Sequence, residues 1–120
     1  MENSFENLEV WKLSHQLVLS LYKLTKSFPK EEQFRLGDQI RRSVSSVATN
    51  IVEGNSRGHK KEYIQFLYLS KGSLDETKYH LLLSKDLGYI TTTQYDNLQD
   101  QCNSVGKMLN GLVKYLKSKI

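Results

Sequence analysis

The sequence predicts an all-α fold, an antiparallel up-down-up-down four-helix bundle that takes residues 1–120 as a single domain. Three observations carry that reading. Apolar residues recur at alternating steps of three and four along nearly the whole chain, which is the helical period. Turn signals at Ser27–Pro29, Gly54–Gly58 and Gly88 divide the pattern into four segments. One proline and seven glycines are too few for a β-turn-rich or linker-rich chain, and the strand-like Tyr89–Thr93 is too short to defend.

The first helix is expected from about Leu8 to Ser27. Val10, Leu17, Leu21, Leu24 and Phe28 form its stripe, with Trp11, Val18 and Tyr22 beside it. Pro29 ends it by pushing the preceding residue out of the α region, then stands near the start of the second helix, with Glu31 and Glu32 facing the positive end of the macrodipole. The second helix runs to about Glu53 on a seam of Ile40, Val44, Val47 and Ile51, and Gly54–Gly58 breaks it. The third spans about Lys60 to Leu87. Its seam is Tyr63, Leu67, Ser70, Leu74, Thr77 and Leu81, flanked by Phe66 and Leu83, and Gly88 follows as a C-cap. Thr91, Thr92 or Thr93 caps the fourth, which reaches about Lys117 on Leu98, Cys102, Val105, Leu109, Leu112 and Leu116. Helices of this length are rods of ~30–40 Å.

Composition removes several function classes. No apolar run approaches the ~18 residues of a membrane span, and the acidic N-terminus lacks a signal core, so a cytoplasmic protein without membrane contact is expected. A lone cysteine, Cys102, excludes an internal disulfide and a Cys-rich zinc site. His15, His59 and His80 fall on different segments, and the seams carry Leu, Val and Ile where a bundle metal would need inward carboxylates. Cys102 occupies a seam position, where a thiol behaves as a small hydrophobe. With no phosphate loop, dinucleotide fingerprint or nucleophile elbow, the expectation is no catalytic residue, no metal and no cofactor. A non-enzymatic protein is expected.

Two features point elsewhere. On the second helix Gln39, Ser43, Ser46, Asn50, Glu53 and Arg57 repeat at four, three, four, three, four, about 100° from the apolar seam. Either this is a solvated face, or its small polar residues pack closely against another helix or another subunit. The second reading has a motive, because Ser and Asn are poor helix formers on an open face.

The other feature is charge. Seventeen Lys and Arg against thirteen Asp and Glu give +4 and a pI near 9.1. All four arginines, Arg35, Arg41, Arg42 and Arg57, lie in one stretch that Lys60 and Lys61 extend. Lys107, Lys114 and Lys117 share a stripe with Asn103 and Asn110, and no acidic residue follows Asp100. Lys71, Lys78 and Lys85 also repeat every seven, with Asp75 among them, which reads as an ion-paired surface. Glu53 and Arg57, four apart, read as a structural pair. Arg41, Arg42, Lys60 and Lys61, taken as lying at the second-to-third helix end, together with Lys107, Lys114 and Lys117, are the candidate nucleic-acid contacts.

The stretch from Gln39 to Gly54, with Arg42, Ser46, Asn50, Ile51, Glu53 and Gly54 at its motif positions and Arg57 beyond, resembles the proteins encoded in intervening sequences of bacterial 23S ribosomal RNA genes. So do Leu8, Val10 and Trp11, Leu24 to Pro29, Gly72 to Glu76, and Leu87 to Ile90. The resemblance covers nearly the whole chain and extends to the accessory variability protein of diversity-generating retroelements. It implies a helical bundle assembled as a ring-like homopentamer and, through the retroelement relative, contacts with nucleic acid and a protein partner. Ala48 stands where many relatives carry proline, which implies a straighter second helix. Lys78 and His80 replace expected acidic or amide residues. The functional expectation is a non-enzymatic oligomer binding RNA or DNA without sequence readout, the alternative being a protein-interaction scaffold.

Overall fold

The computed structural model describes residues 4–120. A 3-10 turn, Phe5–Asn7, precedes α1 (Glu9–Thr25). A second, Lys30–Glu32, precedes α2 (Leu36–Ser56), and α3 (Lys60–Asp86) and α4 (Thr92–Ser118) follow. No strand occurs among the described residues. Cross-helix pairs fix the directions. Tyr22 meets Ser45 and Thr25 meets Arg41, so α2 runs against α1. Ser43 pairs with Thr77, Ser46 with Ser73, and the Val47 carbonyl with Ser70, so α3 runs against α2. Tyr68 lies near Lys117, Lys78 bonds Gln99 and Lys85 covers Tyr95, which sets α4 against α3. Leu24 with Leu98, and Val10 with Leu112, line clefts that close α4 onto α1. The result is an antiparallel four-helix bundle of 46 × 22 × 20 Å.

Its core is the set the helical spacing picks out. Leu17, Leu21, Ile40, Val44, Val47, Ile51, Leu67, Leu81, Cys102 and Leu109 are fully buried. Each large aliphatic among them contributes roughly 1.5–3 kcal/mol. Three seams differ in detail. On α4 Val113 is buried and Leu112 only half-buried, because 3.6 residues per turn drift from a strict heptad. On α1 Ser14 and Thr25 are buried and Leu24 is half-buried; on α3 Ile64, His80 and Ser84 join the core and Tyr63 is half-buried.

The ends follow local chemistry. Thr91 and Gln94 form a capping box, each side chain accepting from the other's backbone N–H at 3.0 and 2.9 Å. Gly58 (φ +75°) and Gly88 (φ +80°) make the turns after α2 and α3. One boundary departs from expectation. The second helix does not start at Pro29: Lys30–Glu32 is a separate 3-10 turn and Arg35 breaks the helical path at φ −115°, ψ −101°. The Gln33 amide donates to the carbonyls of Thr25 (2.7 Å) and Phe28 (3.0 Å), so this segment serves the end of α1 before α2 begins. At the other end α2 continues through Gly54 to Ser56.

Gly54 is needed for closeness. A Cβ there would stand 2.8 Å from Tyr63 Cδ1 and 2.9 Å from Phe66 Cβ, whereas one at Gly72 would meet nothing. Gly54→Ala is therefore expected to lose about 1–3 kcal/mol by overpacking, more than offsetting its helix propensity. Gly72→Ala should gain up to ~1 kcal/mol. Urea denaturation of the two variants gives shifts of opposite sign; a stabilised Gly54→Ala would contradict the packing.

Candidate functional site

The polar seam of α2 divides along its length. Ser43 is buried, with Thr77 Oγ1 2.8 Å from its Oγ, and its hydroxyl donates to the Ile40 carbonyl at 3.2 Å. Ser73 donates to Ser46 Oγ at 2.9 Å, and Asn50 Nδ2 donates to the same oxygen at 3.0 Å and to the Ser46 carbonyl at 2.9 Å. Ser70 reaches across to the Val47 carbonyl at 2.8 Å. These hydroxyls and amides are satisfied inside the chain, against α3. Gln39 is exposed. Glu53 and Arg57 form an exposed ion pair of 3.7 Å, and the Arg57 guanidinium also lies 4.9 Å from the Phe66 ring centre.

The groove between α3 and α4 is built differently. Lys78, Asp100, Asn103, Ser104, Gly106, Lys107 and Asn110 line its centre. At its floor Gly106 lies over Leu74, where a Cβ would stand 3.5 Å from Leu74 Cδ2. Spacings of four and three continue the α4 wall from Lys107 and Asn110 to Lys114 and Lys117, and spacings of seven extend the α3 wall from Lys78 to Lys71 and Lys85. Lys117 and Lys71 both approach Tyr68, and Lys85 covers Tyr95. Six lysines thus lie on the two stripes that border this cleft, Lys78 and Lys107 lining it directly, with Asp75, Asp96 and Asp100 on the same stripes. None of the six is in an ion pair among the described residues; the pairs found there are Lys12–Glu9, Arg42–Asp38, Arg57–Glu53 and His80–Glu76. The ion-paired surface expected for Lys71, Lys78 and Lys85 is therefore not what forms. Sequence spacing shows each stripe separately, and only helix packing joins them.

The arginine cluster does not assemble as one surface. Because α2 starts at Leu36, Arg41 and Arg42 lie in its first turns, ~20 Å from the α2–α3 turn where they were expected beside Lys60 and Lys61. The half-buried Arg41 guanidinium donates to Thr25 Oγ1 at 3.0 Å and to the Gln33 carbonyl, anchoring the α1–α2 connection. Arg42 is exposed and holds Asp38 at 3.3 Å. Lys60 and Lys61 are exposed in the first turn of α3. Ammonium groups there face the positive end of the α3 macrodipole, an arrangement that helix stability alone disfavours.

Nucleophilic and metal chemistry find little support. Burial pushes the Cys102 thiol up to about 11 against a smaller opposing pull from the Lys78 ammonium. His80 is buried with Nε2 3.3 Å from Glu76 Oε2 and no partner on Nδ1. No group of three His, Cys, Asp or Glu side chains among the described residues is placed to hold a metal. No described helix is long and apolar enough to cross a membrane.

The family model of the 23S rRNA-intervening sequence protein matches residues 6–111. The chain belongs to that family. Its fold is also that of a solved protein of unknown function from the S23 ribosomal protein family of Bacteroides thetaiotaomicron. The two superpose with a TM-score of 0.81 at 26% identity over 88% of this chain and 98% of that one. No curated protein matches the chain. For this intervening-sequence family member, the motif residues Ser46, Asn50 and Gly54 fall on the α2–α3 contact, whereas the lysine groove lies at the α3–α4 edge.

Cys102 supplies a test of the core. A thiol whose pKa is raised in the folded chain keeps its proton there while the unfolded chain releases it, so its contribution to stability is full below pH 9 and declines as pH rises toward about 11. Iodoacetamide at mildly alkaline pH should leave the native thiol unmodified and label it in urea. Rapid labelling of the native protein would contradict the burial.

Proposed function

We propose that this family member is a non-enzymatic nucleic-acid-binding protein that holds RNA or DNA by its phosphates, without sequence readout, in the α3–α4 groove. The observation that carries the reading is that Lys78 and Lys107 line one cleft whose bordering stripes carry four more lysines, none of the six in an ion pair among the described residues. Ammonium groups without carboxylate partners are available to displace counterions from a phosphate backbone. The groove holds no arginine fork for bidentate readout of guanine, since all four arginines lie between Arg35 and Arg57. Lys60 and Lys61 extend the basic surface around the end of α3, and Arg42 is a separate, weaker contact because Asp38 already shares its charge.

A homo-oligomer, with the pentamer that the family resemblance implies, belongs to the same proposal. Its physical support is α3, which carries apolar side chains on several faces: Leu69, Tyr79 and Leu82 stay exposed while Leu67, Leu74 and Leu81 fill the core. Five copies of a +4 chain would carry about +20, so individually weak phosphate contacts would add by multivalency. The same exposed residues favour a second reading, a scaffold that docks another protein with the basic groove incidental.

Salt separates the two. Binding through phosphates weakens steeply with salt, and replacing Lys107, Lys114 and Lys117 together by Gln should weaken it similarly for unrelated sequences and reduce the salt slope by up to ~3. The check is fluorescence anisotropy across a salt series with the wild type and the triple variant. Absence of binding at about 50 mM salt would remove the nucleic-acid reading and leave the scaffold.

A further inference from the structure

We propose that the α3–α4 groove selects single-stranded RNA or DNA over duplex, with Tyr68 as a platform for one unstacked base; this rests on the phosphate-binding reading above. Two lysines from different helices converge on the Tyr68 ring, Lys71 Nζ at 5.9 Å and Lys117 Nζ at 5.5 Å from its centre. At the other end of the groove Lys85 Nζ stands 4.5 Å from the centre of Tyr95. Tyr68 is 38% exposed, whereas Tyr95 is half-buried, so Tyr68 is the ring with a face to offer. From the level of Lys85 to that of Tyr68 is ~25 Å of helix. Between them the cleft is lined by Lys78 and Lys107, the amides of Asn103 and Asn110, the Ser104 hydroxyl and one carboxylate, Asp100, with Gly106 at its floor.

That alternation is what a single strand can use in full. Its phosphates meet the ammonium groups while its bases, free of a partner strand, stack on aromatic faces whatever their identity. A duplex keeps its bases stacked inside and offers the groove only phosphates. The lysines would then hold it, and Tyr68 would contribute nothing. The lysines supply salt dependence for either form; the tyrosine supplies the difference between them.

The experiment measures anisotropy of labelled oligothymidylate, oligouridylate and a mixed-sequence duplex of about 20 residues or base pairs each at about 50 mM salt. It uses wild-type protein, Tyr68→Leu and Tyr68→Phe. Both single strands should bind the wild type at least about tenfold more tightly than the duplex. Tyr68→Leu should lose about tenfold for the single strands and leave the duplex unchanged, and Tyr68→Phe should retain wild-type selectivity. Circular dichroism confirms the fold of each variant. Equal or tighter duplex binding, or a Tyr68→Leu loss shared by single strand and duplex, would overturn the selectivity and leave phosphate binding standing. Failure of the wild type to bind any of the three would overturn both.

Discussion

Ser43, Ser46 and Gly54 let α2 lie against α3 with hydroxyls in contact, at positions where larger side chains would hold the helices apart. Each of these hydrogen bonds is worth only about 0.5–1.5 kcal/mol net, but breaking one leaves a buried oxygen unsatisfied at a cost of ~1–3 kcal/mol. The ladder therefore sets register more than it adds stability. A purely aliphatic seam tolerates sliding; one in which Thr77 must meet Ser43, and Ser73 must meet Ser46, does not.

That register decides what the α4-facing edge of α3 presents. With Leu67, Leu74 and Leu81 fixed toward the core, the stripe from Tyr68 through Lys71 and Lys78 to Lys85 is turned to the α4 edge. The lysines of α4 arrive there because Leu98, Cys102, Val105 and Leu109 bury the other side of that helix. The basic groove is thus a consequence of two apolar seams and one polar ladder, and a slip of α3 against α2 would rotate Lys78 away from Lys107. The arginines serve other ends: Arg41 ties α2 to the end of α1, and Arg57 pairs with Glu53 one helical turn before it.

The four helices and most of their core were legible in the sequence because burial in a helix depends on local spacing, which a single chain displays. The misplacements have local causes as well. Ser14 and Ser84 lie outside the apolar stripes, yet each is buried with its hydroxyl donating to the carbonyl four residues earlier, at 2.7 Å, which makes it effectively apolar outward. The start of α2 was hidden because Gln33, unremarkable in sequence, satisfies carbonyls at the end of α1 and delays the next helix. The groove itself was half legible. Lys107, Lys114 and Lys117 stood out by their acid-free surroundings, but Lys71, Lys78 and Lys85 looked paired with Asp75, and Tyr68 carried no signal at all. Their meeting depends on residues far apart in the chain, Tyr68 and Lys117 at the far limit, being brought together by an antiparallel turn.

Photo-cross-linking a 4-thiouridine-substituted oligonucleotide to the native protein, followed by peptide mass spectrometry, tests the placement of nucleic acid most directly. The account predicts adducts on α3 and α4 peptides carrying Tyr68, Lys71, Lys78 and Lys107, all suppressed by excess unlabelled oligonucleotide. Adducts concentrated instead on the α1–α2 face around Tyr22, Arg42 and Thr49 would contradict it.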